Sequence, residues 1–271
     1  MLLIHNKKYT TYLLDKNIIY IRKYTIYNIK MVKILNLVLY SDNNESYIKM
    51  YNILKNYNNF NNIKTYFYKY DNTIDNDIEF VDDIIKIKGE ETMIPGILDK
   101  TIIALKSVEN IIVDYDYVIR TNISSIVNYK LLIEELEKNP ITYYGGTHVM
   151  NLCWLDIPFG IVDNKHFNTP FASGTNIILS KKGYKLLIDN SHFLDRTIID
   201  DVSIGILFKK LNTGFNHIPN KFVFVPIILN NLNEYKNLLE KNFIVYRNHN
   251  GNRNIDVLQM NILTELLMSN S

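Results

Sequence analysis

The sequence predicts an α/β fold with a largely parallel sheet that helices cover on both faces. Predicted strands, with apolar or period-two patterns, alternate with predicted helices, with apolar residues every three or four positions, through the first half of the chain. The mostly apolar run "MVKILNLVLYS" from Met31 is followed by the polar cluster "SDNNES", as for a buried strand before a capped helix. With 271 residues and 47% hydrophobic residues, the chain is long enough for one large core. We expect one domain over residues 31–271, after an irregular extension over residues 1–30.

The first half of the domain yields further strands and helices in alternation. Apolar side chains recur every three or four residues over 46–57, which predicts a helix. The segment "IKTYFYKY", residues 63–70, alternates like a second strand, and "IEFVDDIIKIKG", residues 78–89, is predicted as a third. Helical spacing returns over 94–110. This order favours a sheet whose strands are joined by crossing helices.

The stretch that follows places a polar turn where ligands gather in such sheets. A strand is predicted over 117–119, and a helix begins at about Asn128. Between them lies "RTNISS", residues 120–125, which we interpret as a turn. Because ligands of open α/β sheets bind at the carboxyl ends of the strands, this turn is a candidate binding segment.

Further strands and a helix are predicted between residues 141 and 180. The segment "ITYYGGTHVM", residues 141–150, is predicted as a strand, and residues 151–170 are loop-like. A strand over 176–179 then leads into a helix that Ser180 caps. Within the long loop, the aromatic rings of Trp154 and Phe159 are candidates for stacking on sugars or for anchoring the loop.

Charge and cysteine content exclude several classes of protein. Lysine and arginine total 30 against 28 aspartate and glutamate residues, so the net charge of +2 supplies no global field that attracts nucleic acid. The single Cys153 cannot form an internal disulfide or a cysteine-based metal site, which favours a reducing compartment. We therefore expect a cytoplasmic protein that binds no nucleic acid.

The apolar segments are too short for a membrane protein. Residues 34–40 and 222–229 are the longest such stretches, and each is far below the roughly 20 residues that span a bilayer. Charged residues are scattered through the first 30 positions, unlike a secretory leader. No membrane span is expected.

Three blocks in this order carry a family resemblance: "YDYVIRTNISS", "FASGTNIILSKKGYKLL" and "IIDDVSIGILFKKL". Together they resemble a glycosyltransferase with the GT-A fold, and they are most similar to the β-1,3-galactosyltransferase and fringe group. The resemblance covers roughly residues 31–215. It implies a Rossmann-like three-layer α/β/α sandwich with a mostly parallel mixed sheet. It also implies transfer of a sugar from a nucleotide-diphosphate donor to a hydroxyl of a glycan or glycoprotein, with inversion.

One departure from the family pattern affects the expected metal site. The resemblance aligns Arg120, Thr121 and Asn122 with the acidic triplet that holds a metal and the sugar nucleotide in that group. A guanidinium can grip phosphate at any physiological pH, and an amide can bind a ribose or sugar hydroxyl. We therefore expect chemistry that is metal-independent or depends only weakly on Mn²⁺ or Mg²⁺, with these three residues binding the nucleotide sugar.

A competing alignment keeps a metal site. The run "IIVDYDYV" also ends in acidic residues, and Asp114 with Asp116 forms a D-x-D pattern. In that alternative His249, in the C-terminal segment "YRNHNGNR", is a further candidate ligand. Both alignments stay open at this point.

The resemblance assigns the catalytic base to one of two adjacent acids. Asp200 and Asp201, followed by "VSIG", match a family motif of the type E-D-V-x-x-G, and the motif places the base on the second acid. Such a carboxylate removes the proton from the acceptor hydroxyl as it attacks the anomeric carbon. The alternative is helix capping, since carboxylates accept backbone N–H bonds at helix starts. Asp201 is our first choice for the base.

The other predicted donor contacts come from three separate segments. Ser173, Gly174 and Thr175 form a small-residue turn that either allows close approach of a sugar ring or is only a tight turn. Ser41 ends the first strand and either contacts the nucleotide or caps a helix. Arg247 lies in the C-terminal segment that often closes over the diphosphate in the GT-A fold.

Two other functions compete with the transferase. A non-catalytic sugar- or nucleotide-binding domain would also lack the acidic triplet, although the acid pair and the Ser173-Gly174 turn favour an enzyme. A metal-dependent hydrolase or nuclease using Asp114, Asp116 and Asp201 has no basic groove to support it.

Overall fold

The computed structural model of the chain describes residues 7–14, 17–24, 31–226, 229 and 231–269. The chain divides into two compact units, Met1–Met31 and Val32–Ser271. In the first, strands β1 (Lys7–Leu14) and β2 (Asn17–Tyr24) pair antiparallel along their whole length. The described part of this extension is therefore regular β-structure, contrary to the irregular chain that we expected.

The second unit contains thirteen described strands and seven described helices. The strands are β3 (Ile34–Leu39), β4 (Ile63–Tyr70), β5 (Ile78–Val81), β6 (Ile84–Ile87), β7 (Tyr117–Asn122), β8 (Ser125–Val127), β9 (Tyr144–Gly146), β10 (Val149–Asn151), β11 (Pro170–Ala172), β12 (Asn176–Ser180), β13 (Phe215–His217), β14 (Phe222–Phe224) and β15 (Val245–Arg247). The helices are α1 (Glu45–Tyr57), α2 (Gly96–Ser107), α3 (Tyr129–Lys138), α4 (Lys181–Asp189), α5 (Asp200–Lys210), α6 (Leu232–Glu240) and α7 (Arg253–Ser269).

A mixed sheet of eight strands forms the centre of this unit, in the order β13-β9-β12-β7-β3-β4-β6-β5. Strand β3 is parallel to β4 and β7, and β4 is parallel to β6, whereas β12 is antiparallel to both of its neighbours. A smaller sheet, β14-β15-β8, and the pair β10-β11 complete the strands. The predicted α/β class with a mostly parallel mixed sheet is confirmed.

Helices cover both faces of the large sheet because side chains alternate along each strand. Val38 of β3 lies in one hydrophobic cluster with Met50 of α1 and Leu263 of α7. The adjacent Leu37 lies with Leu105 of α2 in a second cluster on the opposite face. That cluster also contains residues of α4 and α5. The predicted three-layer arrangement is thus observed, with the core divided between the two faces.

Two predicted elements differ from the structure. The single strand expected over 78–89 is a hairpin of β5 and β6, because Asp82 adopts a positive φ of 54° and turns the chain. The turn expected at residues 120–125 begins later, since Arg120–Asn122 continue β7 between β3 and β12. Alternation then sends Arg120 and Asn122 to one face of the sheet and Thr121 to the other.

Candidate functional site

The acid pair lies in the first turn of α5, but neither acid is the N-cap residue. The N-cap position belongs to Ile199, and no side chain makes a capping hydrogen bond there. Asp200 and Asp201 are the first two helical residues, where the positive end of the helix dipole favours negative charge. Neither acid therefore occupies the N-cap position, although the Asp201 carboxylate accepts the Val202 N–H within the first turn, as the capping interpretation expected.

Asp200 forms a buried ion pair with Arg120. The Arg120 Nη2 donates to Asp200 Oδ2 at 2.6 Å, and the two side chains are only 3% and 4% exposed. Burial acts to lower the pKa of Arg120, but the charge of Asp200 outweighs it and holds that pKa above its usual value. Charge-assisted contacts of this kind are among the stronger hydrogen bonds in proteins.

The other two guanidinium nitrogens of Arg120 also have protein partners. Nε donates to the Tyr68 hydroxyl at 3.3 Å, and Nη1 donates to the Gly174 carbonyl. Tyr68 is held in turn by the Thr101 hydroxyl of α2 at 2.9 Å. The side chain that we expected to grip a diphosphate thus joins β7, β4, α2, the turn before β12 and α5.

Gly174 allows this close approach. A Cβ added at this position would collide with the Arg120 guanidinium. Its backbone N–H donates to Asp201 Oδ2 at 2.9 Å, while its carbonyl accepts from Arg120. The small-residue turn that the sequence singled out therefore links the two acids to the end of β7.

Asp201 has a different environment from its neighbour. Its Oδ1 accepts the Val202 N–H at 2.8 Å, and among the described residues no lysine, arginine or histidine nitrogen lies within 4 Å of its carboxylate. Burial, followed by the charge of Asp200, raises the pKa of Asp201 to about 6, against the opposing effect of the Gly174 N–H. The side chain is partly exposed. Of the two acids, Asp201 is the one available as a base near neutral pH.

A cavity of about 450 Å³ lies at the carboxyl ends of β3 and β7. Ser41 and Asn122, both predicted nucleotide contacts, line it. Phe159 also lines it, and the Phe159 carbonyl accepts the Ile199 N–H at 3.1 Å, immediately before the acid pair. A cavity of about 500 Å³ beside α4 contains none of the predicted site residues.

Three cations line the cavity at the ends of β3 and β7, and their partners differ. Lys100 is buried and donates to both carboxylate oxygens of Glu91 at 2.6 Å. Arg253 is paired with Asp256 at 2.7 Å. Arg247 is 9% exposed and donates to the Ser124 hydroxyl.

Arg247 is the cation with unused binding capacity. In the part of the chain that the structure describes, no carboxylate lies within 4 Å of its guanidinium. Burial, together with the charges of Arg253 and Arg120, lowers the pKa of Arg247 to about 10, so the side chain stays protonated near neutral pH. A buried guanidinium that lines a cavity without a counter-charge is suited to an anionic ligand.

Thr121, Ser173 and Thr175 are placed less favourably for binding. Thr121 is buried on the opposite face of the sheet, where its hydroxyl donates to Asn36 at 3.1 Å, so its predicted donor contact is wrong. Ser173 is buried, and its hydroxyl accepts the Thr175 N–H at 3.4 Å. The Thr175 hydroxyl is buried without a hydrogen-bond partner among the described residues.

The alternative metal site is not assembled. Asp114 ends a short helical turn, and Asp116 accepts the Lys33 N–H at 3.0 Å, which places both at the amino end of β7. A six-residue strand is roughly 20 Å long, so both acids lie at the opposite end of β7 from the acid pair. The side chain of His249 is largely exposed, and its partial burial, followed by the charge of Arg247, lowers its pKa. No group of three potential metal ligands occurs within the described ranges, and the D-x-D interpretation fails on this geometry.

Sequence reasoning missed Lys100, Glu91 and Tyr68. The available signal for Lys100 was a lysine between the apolar residues Leu98 and Ile102 of a predicted helix. Glu91 and Tyr68 carried no local signal, since each depends on a partner on a separate element of the fold.

Removing one partner of the buried ion pair should strongly destabilise the fold. We expect Arg120→Met and Asp200→Asn each to lower the free energy of unfolding by about 3–5 kcal/mol, because each leaves a buried charge or dipole uncompensated. Chemical denaturation measures the change. Arg196→Ala, which removes the partly exposed pair with Asp99, is the control and should cost about 1 kcal/mol or less. Equal losses at the buried and exposed pairs would contradict the structure.

The raised pKa of Asp201 predicts a specific pH dependence of stability. A carboxyl group whose pKa is higher in the folded state than in the unfolded state favours folding at low pH. That contribution is fully present below the ordinary aspartate pKa, and it is lost as pH rises through about 6. The unfolding free energy of the wild type, measured relative to Asp201→Asn, should therefore decline between about pH 4 and pH 7. A difference that is constant or rises over this range would be inconsistent with the raised pKa.

Comparison with known proteins gives a likeness to solved structures only. No family model matches the sequence, and no curated protein matches it. Among the matching solved structures is the crystal structure of a glycosyltransferase involved in the glycosylation of the major capsid of PBCV-1. It has 10% sequence identity and a TM-score of 0.47, over 84% of this chain and 98% of that chain. At this level the likeness carries no argument about activity, and the resemblance to the β-1,3-galactosyltransferase and fringe group stays a prediction. Among the described helices, none combines the length and apolar character needed to cross a membrane.

Proposed function

We propose that this chain is a glycosyltransferase that moves a sugar from a nucleotide-diphosphate donor to a hydroxyl acceptor with inversion. The observation that carries the proposal is the asymmetry of the acid pair. Asp200 is neutralised by Arg120, whereas Asp201 is partly exposed, has no cationic partner in the described chain, and has a pKa of about 6. Two titratable groups with such different environments are typical of acid–base sites.

The cavity at the ends of β3 and β7 supports a donor site, because its lining residue Phe159 accepts the Ile199 N–H two residues before this base. We assign the diphosphate to Arg247 and Arg253, in place of Arg120, because Arg247 has no counter-charge among the described residues. Asn248, which follows Arg247, is fully buried, and neither polar atom of its side chain has a partner in the described structure. Ser41 and Asn122 supply hydroxyl and amide groups for the ribose or the sugar.

The proposed reaction is a single displacement at the anomeric carbon. The acceptor hydroxyl transfers its proton to Asp201 while its oxygen forms a bond to the anomeric carbon, from the face opposite the diphosphate. The bond between that carbon and the diphosphate oxygen breaks, and its electron pair leaves with the nucleoside diphosphate. The positive charges of Arg247 and Arg253 stabilise the negative charge that develops there.

We propose that this transfer is metal-independent. At the carboxyl end of β7 stand Arg120, Thr121 and Asn122, and the acid that Arg120 contacts, Asp200, is engaged in the ion pair. These residues do not fit a site for Mn²⁺ or Mg²⁺, which prefer several carboxylate or carbonyl oxygens. The proposal therefore assigns charge stabilisation to the arginines of the cavity.

Asp201→Asn should separate catalysis from folding. The amide keeps the size of the side chain but removes its basicity, and we expect transfer or donor hydrolysis to fall by about 10²- to 10⁴-fold. Activity per folded molecule is measured with a panel of nucleotide sugars, and the melting temperature in the presence of the nucleoside diphosphate is compared in parallel. Asp189→Asn, at an exposed acid of α4, is the control. Full turnover by folded Asp201→Asn protein would remove Asp201 from the base role.

A nucleoside diphosphate should stabilise the protein through Arg247. We expect UDP or another nucleoside diphosphate to raise the melting temperature in the presence of EDTA, and the corresponding nucleoside to do little. A ligand at 100 times its dissociation constant adds roughly 2.7 kcal/mol of stability. Arg247→Ala should lose most of this shift, whereas Arg196→Ala, at an exposed arginine outside the cavity, should keep it. A shift that EDTA abolishes and Mn²⁺ restores would refute the metal-independent proposal.

A further inference from the structure

Three aromatic rings form a cluster at the same edge of the sheet as the acid pair. His148 follows the carboxyl end of β9, and Phe222 and Phe224 belong to β14. His148 stacks on Phe222 with ring centroids 4.0 Å apart and planes 6° apart. Phe224 meets both rings edge-on, with centroids at 5.6 Å from His148 and 4.9 Å from Phe222. We call these three residues the aromatic platform.

The most exposed ring of the aromatic platform, Phe224, is not covered by the rest of the described chain. Phe224 is 52% exposed, and His148 and Phe222 are partly exposed. The Nδ1 atom of His148 is buried and has no hydrogen-bond partner among the described residues. A ligand reaches this imidazole only at its exposed part. An open aromatic ring beside a partly exposed imidazole points to a ligand that offers both C–H groups and a hydrogen-bonding group.

Two chains of contacts tie the platform to the proposed catalytic groups. The His148 carbonyl accepts the Ser173 N–H at 2.9 Å, and the next residue, Gly174, donates its N–H to Asp201 at 2.9 Å. On the other side, Phe224 is the strand partner of Arg247 in the pairing of β14 with β15. The platform is therefore one or two residues from both the proposed base and the proposed diphosphate-binding arginine.

We propose that the aromatic platform is the acceptor subsite, and that the acceptor group it binds is a sugar ring. This inference rests on the proposed function and names the substrate class of that site. The C–H face of a pyranose carries a weak positive charge that suits the negative face of an aromatic ring, and its hydroxyls can bond to the partly exposed imidazole of His148.

The chemistry of the platform favours a sugar over an alkyl chain. An alkyl chain gains free energy in proportion to the apolar area that it covers, and it makes no hydrogen bond to the partly exposed imidazole of His148. Burial, followed by the charge of His217, lowers the pKa of His148, so the imidazole is neutral near pH 7 and can accept or donate one hydrogen bond. A sugar hydroxyl satisfies that capacity.

Saturation-transfer NMR with octyl β-D-glucoside, below its micelle concentration, tests the proposal directly because this probe carries both a sugar ring and an alkyl chain. Methyl β-D-galactoside and methyl β-D-glucoside serve as further probes, each with and without UDP. In the wild type we expect saturation of the ring protons. In Phe224→Ala the apparent affinity for the glycosides should fall roughly tenfold, the loss of about 1.4 kcal/mol that one aromatic contact represents.

Phe80→Ala is the matched control for this test. Phe80 is also an exposed strand phenylalanine, 46% exposed, and its ring meets Tyr66 edge-on at 5.7 Å. It should bind the glycosides like the wild type. Phe224→Tyr, which keeps the ring, should retain binding, and His148→Asn should weaken it.

Three outcomes would overturn the proposal: saturation confined to the alkyl chain, no saturation of any glycoside by the wild type, or equal losses in Phe224→Ala and Phe80→Ala. These outcomes are separate from failure of the proposed function. If UDP stabilises the protein and Asp201→Asn abolishes turnover while no ring protons are saturated, the transferase stands and the platform is not the acceptor subsite. If UDP does not bind, saturation of the ring protons without UDP still decides whether the platform holds a sugar.

Discussion

The buried ion pair between Arg120 and Asp200 is the interaction on which the rest of the site depends. Two charges that are 3% and 4% exposed are costly to bury unless every donor and acceptor is satisfied. Arg120 meets this condition by donating to Asp200, to the Gly174 carbonyl and to Tyr68. Because those partners lie on separate elements, the pair fixes the end of β7 against the turn before β12 and the start of α5. The collision of any Cβ at Gly174 with the guanidinium shows how little space this arrangement leaves.

The same pair sets the chemistry of Asp201. Arg120 engages Asp200, and among the described residues the donors to the adjacent carboxylate of Asp201 are backbone N–H groups. The charge of Asp200 adds to burial in raising the pKa of Asp201. The cationic cavity is linked to the residue before the acid pair through the Phe159 carbonyl, and the aromatic platform is linked to the turn at Gly174 through Ser173. A base, an anion site and an aromatic surface at one edge of the sheet are the parts that sugar transfer requires. Our proposals assign each part to residues of this chain.

Much of the fold could be predicted from the sequence, because helical and strand periodicities are local. The strand over Ile63–Tyr70 and the helix after Ser180 were found in this way. The hairpin at residues 78–87 was missed because a turn at Asp82 depends on a positive φ that aspartate adopts only in some contexts. Thr121 was misassigned because treating it as a turn residue removed the alternation that sends it to the other face.

The site itself was predictable only in part. Short motifs identified Asp201 and Gly174, which contact each other in the structure. The partner of Arg120, Asp200, is 80 residues away, and no local signal indicates the pairing. That no carboxylate of the described residues pairs with Arg247 likewise depends on which acids the fold brings near it.

The most direct test of the central claim is a titration of the Asp201 carboxyl carbon by ¹³C NMR, assigned with Asp201→Asn and followed from pH 3 to pH 9. The account predicts a pKa of about 6 for Asp201, and a lower value in Asp200→Asn, where the neighbouring charge is removed. A pKa near the ordinary aspartate value of about 3.9 in the wild type would contradict the account, because Asp201 would then not differ from a solvated surface acid.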